Sequence, residues 1–147
     1  MGKYVSRLKQ VLSYLKIQEE LAEAELAERN LALAVAEEKL SEAKQILELT
    51  LNNLKMKETE GILPHELEQY LEFIRLQSER LKEEEGRIRK LTDEYEISRE
   101  RLAMAVKERK VIQKIESGRY EAFLVRSEKR EQEAVDEVAA RSRRRIP

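Results

Sequence analysis

Catalysis and metal binding need particular side chains brought to one place, and this chain supplies few of the usual sets. It has no cysteine and a single histidine among 147 residues. That removes thiolate zinc ligands, a cysteine nucleophile and a disulfide framework. His65 directly follows Pro64 and has no second imidazole with which to complete a usual zinc site or a proton relay, so it reads as a solvated residue at a helix start. No glycine-rich loop ending in Lys-Ser or Lys-Thr offers a cradle for nucleotide phosphates. Carboxylates are abundant, but a catalytic pair needs a concave, partly dry site. Here Glu recurs at helical spacing beside Lys and Arg, as solvated i,i+4 partners. The chain reads as non-enzymatic, with no cofactor and no metal.

The elements that would position any site are announced by composition. Charged residues make up 40% of the chain against 41% hydrophobic, with four Gly, two Pro and no Trp. Such a mixture belongs to long solvated helices rather than to a thick core. The 29 basic and 30 acidic residues nearly cancel, which leaves no overall field to draw the molecule onto nucleic acid. From Met1 to Leu15 the apolar residues are interrupted by Lys3, Arg7 and Lys9, so no signal peptide is expected. No stretch approaches the roughly 18 apolar residues of a membrane span, and direct membrane insertion is not expected. Cysteine-free composition makes a reducing compartment, the cytosol, the default.

One true break interrupts the chain, at Gly61-Ile62-Leu63-Pro64, where Gly favours helix exit and Pro is tolerated in the next first turn. The fold class expected is all-α: a long antiparallel two-helix coiled-coil hairpin with unequal arms, the second helix overhanging. A single hairpin over residues 1–147 is expected, with helix 1 over about 4–58, the turn over about 59–64 and helix 2 over about 65–143. The first arm carries Leu8, Leu12, Leu15, Glu19, Ala22, Leu26, Arg29, Leu33, Ala36, Leu40, Ala43, Leu47, Thr50 and Leu54 on alternating steps of four and three. The second repeats it with Leu67, Tyr70, Ile74, Gln77, Leu81, Glu84, Ile88, Leu91, Tyr95, Ser98, Leu102, Ala105, Arg109 and Ile112. A 3.5-residue repeat keeps one stripe facing a partner helix, as a left-handed coiled coil requires. Folding back then sets Leu54 against Leu67, Leu40 against Leu81 and Leu26 against Tyr95. Glu19, Arg29, Glu84 and Ser98 interrupt the stripes; they are expected to fix register while reaching water along the seam edge.

Beyond Ile112 the repeat is expected to lose phase, and Tyr4 to lie near residue 117, so the second helix overhangs by roughly 25 residues, about 40 Å. Tyr120, Phe123, Leu124, Val125, Val135 and Val138 are then apolar groups without a partner in the chain, the kind of surface that marks docking. Charge is banded along this end: basic from Lys107 to Arg130, acidic at Glu131, Glu133, Asp136 and Glu137, then Arg141, Arg143, Arg144 and Arg145. With acids beside the bases and few aromatics between them, nucleic acid is not the expected partner; an acidic protein surface suits the bases better. Leu31, Val35, Ile46 and Leu49 lie off the seam and leave self-association open.

The opening Val11-Leu12-Ser13-Tyr14-Leu15-Lys16-Ile17-Gln18-Glu19-Glu20-Leu21-Ala22 and the close Glu128-Lys129-Arg130-Glu131-Gln132-Glu133-Ala134-Val135-Asp136-Glu137-Val138-Ala139-Ala140-Arg141 carry a resemblance. An apolar residue, Asp-Glu, another apolar residue and Ala, within a Glu/Gln/Lys/Arg-rich stretch, is similar to the usual ending of the FliJ family, a small soluble component of the bacterial flagellar type III export apparatus. Glu133 stands where many members have Lys. The resemblance implies a stalk-like hairpin, cytoplasmic and peripheral to the inner membrane at the flagellar base. It further implies binding to the export ATPase hexamer, promotion of its assembly, contact with the cytoplasmic region of the export gate membrane protein, and escort of export chaperones. For the ATPase it points to Lys129, Arg130, Asp136, Glu137 and Arg141; for the gate it points to Ile46, Tyr70, Phe73 and Leu76. The alternatives are the equivalent stalk of a virulence type III injectisome, or a general coiled-coil chaperone or scaffold.

Overall fold

The computed structural model describes residues 2–145, which form two helices, α1 (Lys9–Glu60) and α2 (Pro64–Arg144). Their 52 and 81 residues are the unequal arms of an all-α hairpin. α1 ends at Gly61, whose φ of 101° is the left-handed exit that a side chain would disfavour. Pro64 opens α2 at the position where a missing N–H costs nothing, and Leu67 N–H then donates to the Leu63 carbonyl at 3.0 Å. Contacts divide the chain into two units, Ala22–Leu102 around the turn and Met1–Leu21 with Ala103–Pro147 at the termini.

In the turn unit, cross-helix ion pairs give the relative direction of the two helices directly. Lys57 faces Glu66 at 3.9 Å, Arg29 donates to Glu94 at 3.2 Å, and Arg101 donates to Glu25 at 3.2 Å. The later a residue falls in α1, the earlier its partner falls in α2, which is antiparallel packing. Every seam residue expected in this unit is shielded from solvent at least in part, from Ala22 to Leu54 on α1 and from Leu67 to Leu102 on α2. The most shielded apolar side chains are Ala36 and Ala43, 3% and 4% exposed. Their small side chains let the backbones approach where a larger residue would hold them apart. Half-exposed pairs such as Arg29 with Glu94 stabilise little, typically up to about 1 kcal/mol; the apolar seam supplies the rest.

Not every polar seam residue reaches water, as the sequence suggests it should. Ser98 is buried, and its hydroxyl, together with Gln77 Oε1 and Glu84 Oε2, has no hydrogen-bond partner among the described residues. Leaving such an oxygen dry costs on the order of 1–3 kcal/mol, a cost the seam bears at three positions of one helix.

In the terminal unit the expected start of the first helix needs correction. α1 begins at Lys9, not near residue 4, while residues 2–6 have no regular structure and residues 7–8 form a bend. The first turn of α1 contains no acid, and Arg7 and Lys9 place positive charge against the positive end of the helix dipole. Nothing there rewards an earlier start. The other ends fall within two residues of expectation, at Glu60, Pro64 and Arg144.

The seam also keeps its phase past Ile112, contrary to expectation. Arg109, Glu116 and Phe123 follow one another at seven-residue intervals and all are partly shielded, whereas Ile115, Ala122 and Val125 are exposed. A carboxylate at a seam position hides the repeat from any reading that counts only apolar residues. In stability terms, Gln77→Leu should raise unfolding free energy by about 1 kcal/mol by removing an unpaired buried oxygen. Leu54→Ala should lower it by about 2–3 kcal/mol; urea denaturation followed by helical circular dichroism measures both.

Candidate docking surfaces

Three places present side chains that a partner could grip. The first belongs to the turn unit. Tyr70 and Phe73, three residues apart on α2, share a hollow of about 460 Å³ with Thr50 and Lys57 of α1 and with Glu66 and Gln69. Ile46 and Leu76 are exposed but do not line it; the Ile46 carbonyl accepts the Thr50 hydroxyl at 2.7 Å. Tyr70 is half-buried as a seam residue, and Phe73 stands beside it in solvent. Leu49, Leu51 and Leu71 enlarge the exposed apolar surface near the turn. Leu51 and Leu71 escape a sequence reading because apolar residues off the seam carry no positional signature of their own.

Charge beside Phe73 is held in place on one face. Arg75 donates to both oxygens of Glu72 one turn back and, at 2.8 Å, to Glu79 one turn on. The guanidinium bond holds the Glu72 carboxyl below its ordinary range, and the two carboxylates push Arg75 further toward the charged form. Phe73 and Leu76 are therefore bracketed by ordered, opposite charges.

The second place is the end of α2. Every residue from 128 to 145 is exposed, so Lys129, Arg130, Asp136, Glu137 and Arg141 all stand in solvent. Arg141 donates to Glu137 at 2.8 Å and Gln132 to Asp136 at 3.1 Å, both one helical turn apart. Arg130 lies apart from these, in a hollow of about 530 Å³ with Gly2, Phe123, Arg126 and Ser127. The structure thus brings Glu137 and Arg141 together and leaves Lys129 and Arg130 on a separate stretch.

The third place, a clasp at the chain's start, corrects the reading of Tyr120 and Phe123 as unpartnered. The Tyr4 ring meets Tyr120 edge-on at 5.2 Å and Phe123 at 5.3 Å, and its hydroxyl donates to Glu116 Oε1 at 2.6 Å. Aromatic contacts of this kind add about 0.5–1.5 kcal/mol beyond the area they cover. Next to the clasp, Arg109 holds Glu19 with two N–H groups and Gln113 with a third, so a seam carboxylate that reads as an intrusion is answered by a seam guanidinium on the other helix. Leu124, Val125, Val135 and Val138 do remain exposed.

The clasp has its own proton chemistry. The Glu116 carboxyl is held below its ordinary range first by the Ser6 hydroxyl, which faces it without reaching full hydrogen-bond geometry, then by the Tyr4 hydroxyl and by the Arg119 charge. Donating to that carboxylate raises the Tyr4 phenol above its ordinary value, with burial adding to the effect. A lowered carboxyl contributes stability that is present above its unfolded value and lost as pH falls through the folded one. A raised phenol contributes stability that is present below its unfolded value and lost as pH rises through the folded one. The clasp is thus held across the neutral range and loosened at both extremes. In a ring-resonance titration, Tyr4 should ionise later in the native chain than in Glu116→Gln; identical titrations would show that the bond is absent.

Among known families, the sequence model described as Flagellar FliJ protein matches residues 4–146. No curated protein and no solved structure matches the chain.

Proposed function

Since the chain belongs to the FliJ family, and is thereby a non-catalytic component of the flagellar type III export machinery, we propose that it acts there as a stalk between the export ATPase and the membrane gate. The observation that carries this reading is the solvated end of α2, where every residue from 128 to 145 is exposed. A lone helix about 10–12 Å across is narrow enough for a ring's central opening. The charges on it, Lys129, Arg130, Asp136, Glu137 and Arg141, are the contacts assigned to the ATPase hexamer.

The gate contact is assigned to Tyr70 and Phe73, with Ile46 and Leu76 extending it. Aromatic side chains that are already half-ordered lose little freedom on docking and offer large area, which is why they recur as interface anchors. Export chaperones are a third class of partner in this reading. No described helix is long and apolar enough to cross a membrane, and the attachment proposed is peripheral, at the cytoplasmic face of the inner membrane through the gate protein.

Mixing the purified chain with the export ATPase should raise the hydrolysis rate and the fraction of assembled rings. Removing residues 128–147 should return both to the unstimulated level; this cut spares Tyr120 and Phe123, so the clasp stays closed and the helical signal falls only in proportion to the residues lost. Stimulation that survives the cut places the ATPase contact elsewhere. Phe73→Ala should weaken binding to the gate's cytoplasmic region about tenfold without touching ATPase stimulation, because an exposed aromatic anchor contributes to the interface and not to the seam.

A further inference from the structure

A fourth surface is used by none of these contacts. In the terminal unit, a furrow of about 550 Å³ runs between the two helices, with Val11 and Leu15 of α1 on one wall and Met104, Val111 and Ile112 of α2 on the other. Its apolar side chains are far from covered: Val11 is 41% exposed, Met104 63% and Val111 50%. Along α2 it adjoins a smaller hollow of about 420 Å³ lined by Ala103, Val106, Lys110 and Lys114, the two sharing Lys107 and Val111.

The charge around this furrow is one-sided, although the chain as a whole is balanced. Residues 2–18, which supply the α1 wall, contain Lys3, Arg7, Lys9 and Lys16 and no acid. On α2, Lys107, Lys110 and Lys114 stand along the rim with a single acid, Glu108, beside them. None of the lysines at 9, 16, 107, 110 and 114 makes an ion pair among the described residues. By contrast, Arg109 is satisfied inside the seam by Glu19. Unpaired bases on one rim of an apolar furrow set the sign of whatever fills it.

The geometry points to a docking site for an amphipathic helix of another protein, apolar on one face and carrying acids on its flanks. Two observations favour a helix over a flat anionic bilayer. The apolar groups form the floor of a furrow between helices, and a third helix can seat its side chains there as in a three-stranded coiled coil. Met104 and Val111, both apolar and exposed, lie seven residues apart on the outer face of α2, which is the spacing of such a seam. The acids of the incoming helix then meet Lys107, Lys110 and Lys114. This site is independent of the stalk reading, because it uses neither the end of α2 nor the surface at Phe73.

The test uses the full chain and two synthetic helical peptides with the same leucine stripe, one flanked by Glu and the other by Lys. The Glu-flanked peptide should bind at least about tenfold tighter at low salt, with the preference shrinking as salt screens the rim. The triple change Lys107→Glu, Lys110→Glu and Lys114→Glu, all at exposed positions, should reverse the preference while leaving helical content unchanged. Val111→Glu should weaken the Glu-flanked peptide about tenfold. Equal binding of the two peptides, binding of neither, or an unreversed preference in the triple variant overturns the proposal. So does co-sedimentation with phosphatidylglycerol vesicles in the absence of peptide binding, which assigns the surface to lipid. Concentration-dependent association of the chain that is lost in Glu133→Lys/Glu137→Lys would equally overturn it, by assigning the furrow to a second copy's acidic end.

Discussion

A pair of helices can hide only one stripe of each, and everything else in this protein follows from that limit. Dispersion and hydrophobic gain come from a seam on steps of four and three residues, and the buried apolar side chains of the described residues are Ala36, Ala43 and Leu54. Larger seam residues such as Leu33, Leu40 and Tyr95 are only partly covered. The titrating groups that shift do so because of a hydrogen-bonded neighbour, as Glu72 does with Arg75 and Glu116 with Ser6 and Tyr4.

The same limit explains how polar residues are tolerated in the seam. Where a partner of opposite charge stands on the other helix, as Arg109 does for Glu19, the intrusion becomes a register-specific link: shifting one helix past the other would leave both charges partly shielded and unpaired. Where no partner stands opposite, as at Gln77, Glu84 and Ser98, the oxygen is left dry and stability is lower. Those positions lower the strength of the pairing without breaking its continuity.

What the seam cannot cover stays in solvent. Family membership places the chain in flagellar export, and its exposed features differ from one another in chemistry. The turn unit offers aromatic area at Tyr70 and Phe73, the end of α2 offers alternating charge, and the terminal unit offers an apolar furrow with a basic rim. The Tyr4 clasp lies between the last two along the chain. It partly shields Phe123 and leaves Tyr120 46% exposed, while Leu124, Val125, Val135 and Val138 stand uncovered beyond it.

The sequence by itself determined the helices, their break and both seams, because a 3.5-residue apolar repeat is a property of one strand of text and Gly61 before Pro64 has one structural reading. All the seam residues named from Leu8 to Leu54 and from Leu67 to Ile112 are at least partly shielded. It also made Phe73 and the charges at 129–141 visible as side chains with no seam duty. Only the tertiary structure decided that Glu19 meets Arg109, that Glu116 continues the seam, that residues 2–6 leave the helical path to set Tyr4 on Tyr120 and Phe123, and that Val11 and Val111 wall a common furrow. Each of these joins residues some ninety to a hundred and nineteen positions apart. Periodicity reports which face of a helix is turned inward, but not which side chain on the other helix it will find there; that depends on an axial register that the apolar stripes alone leave free to slide.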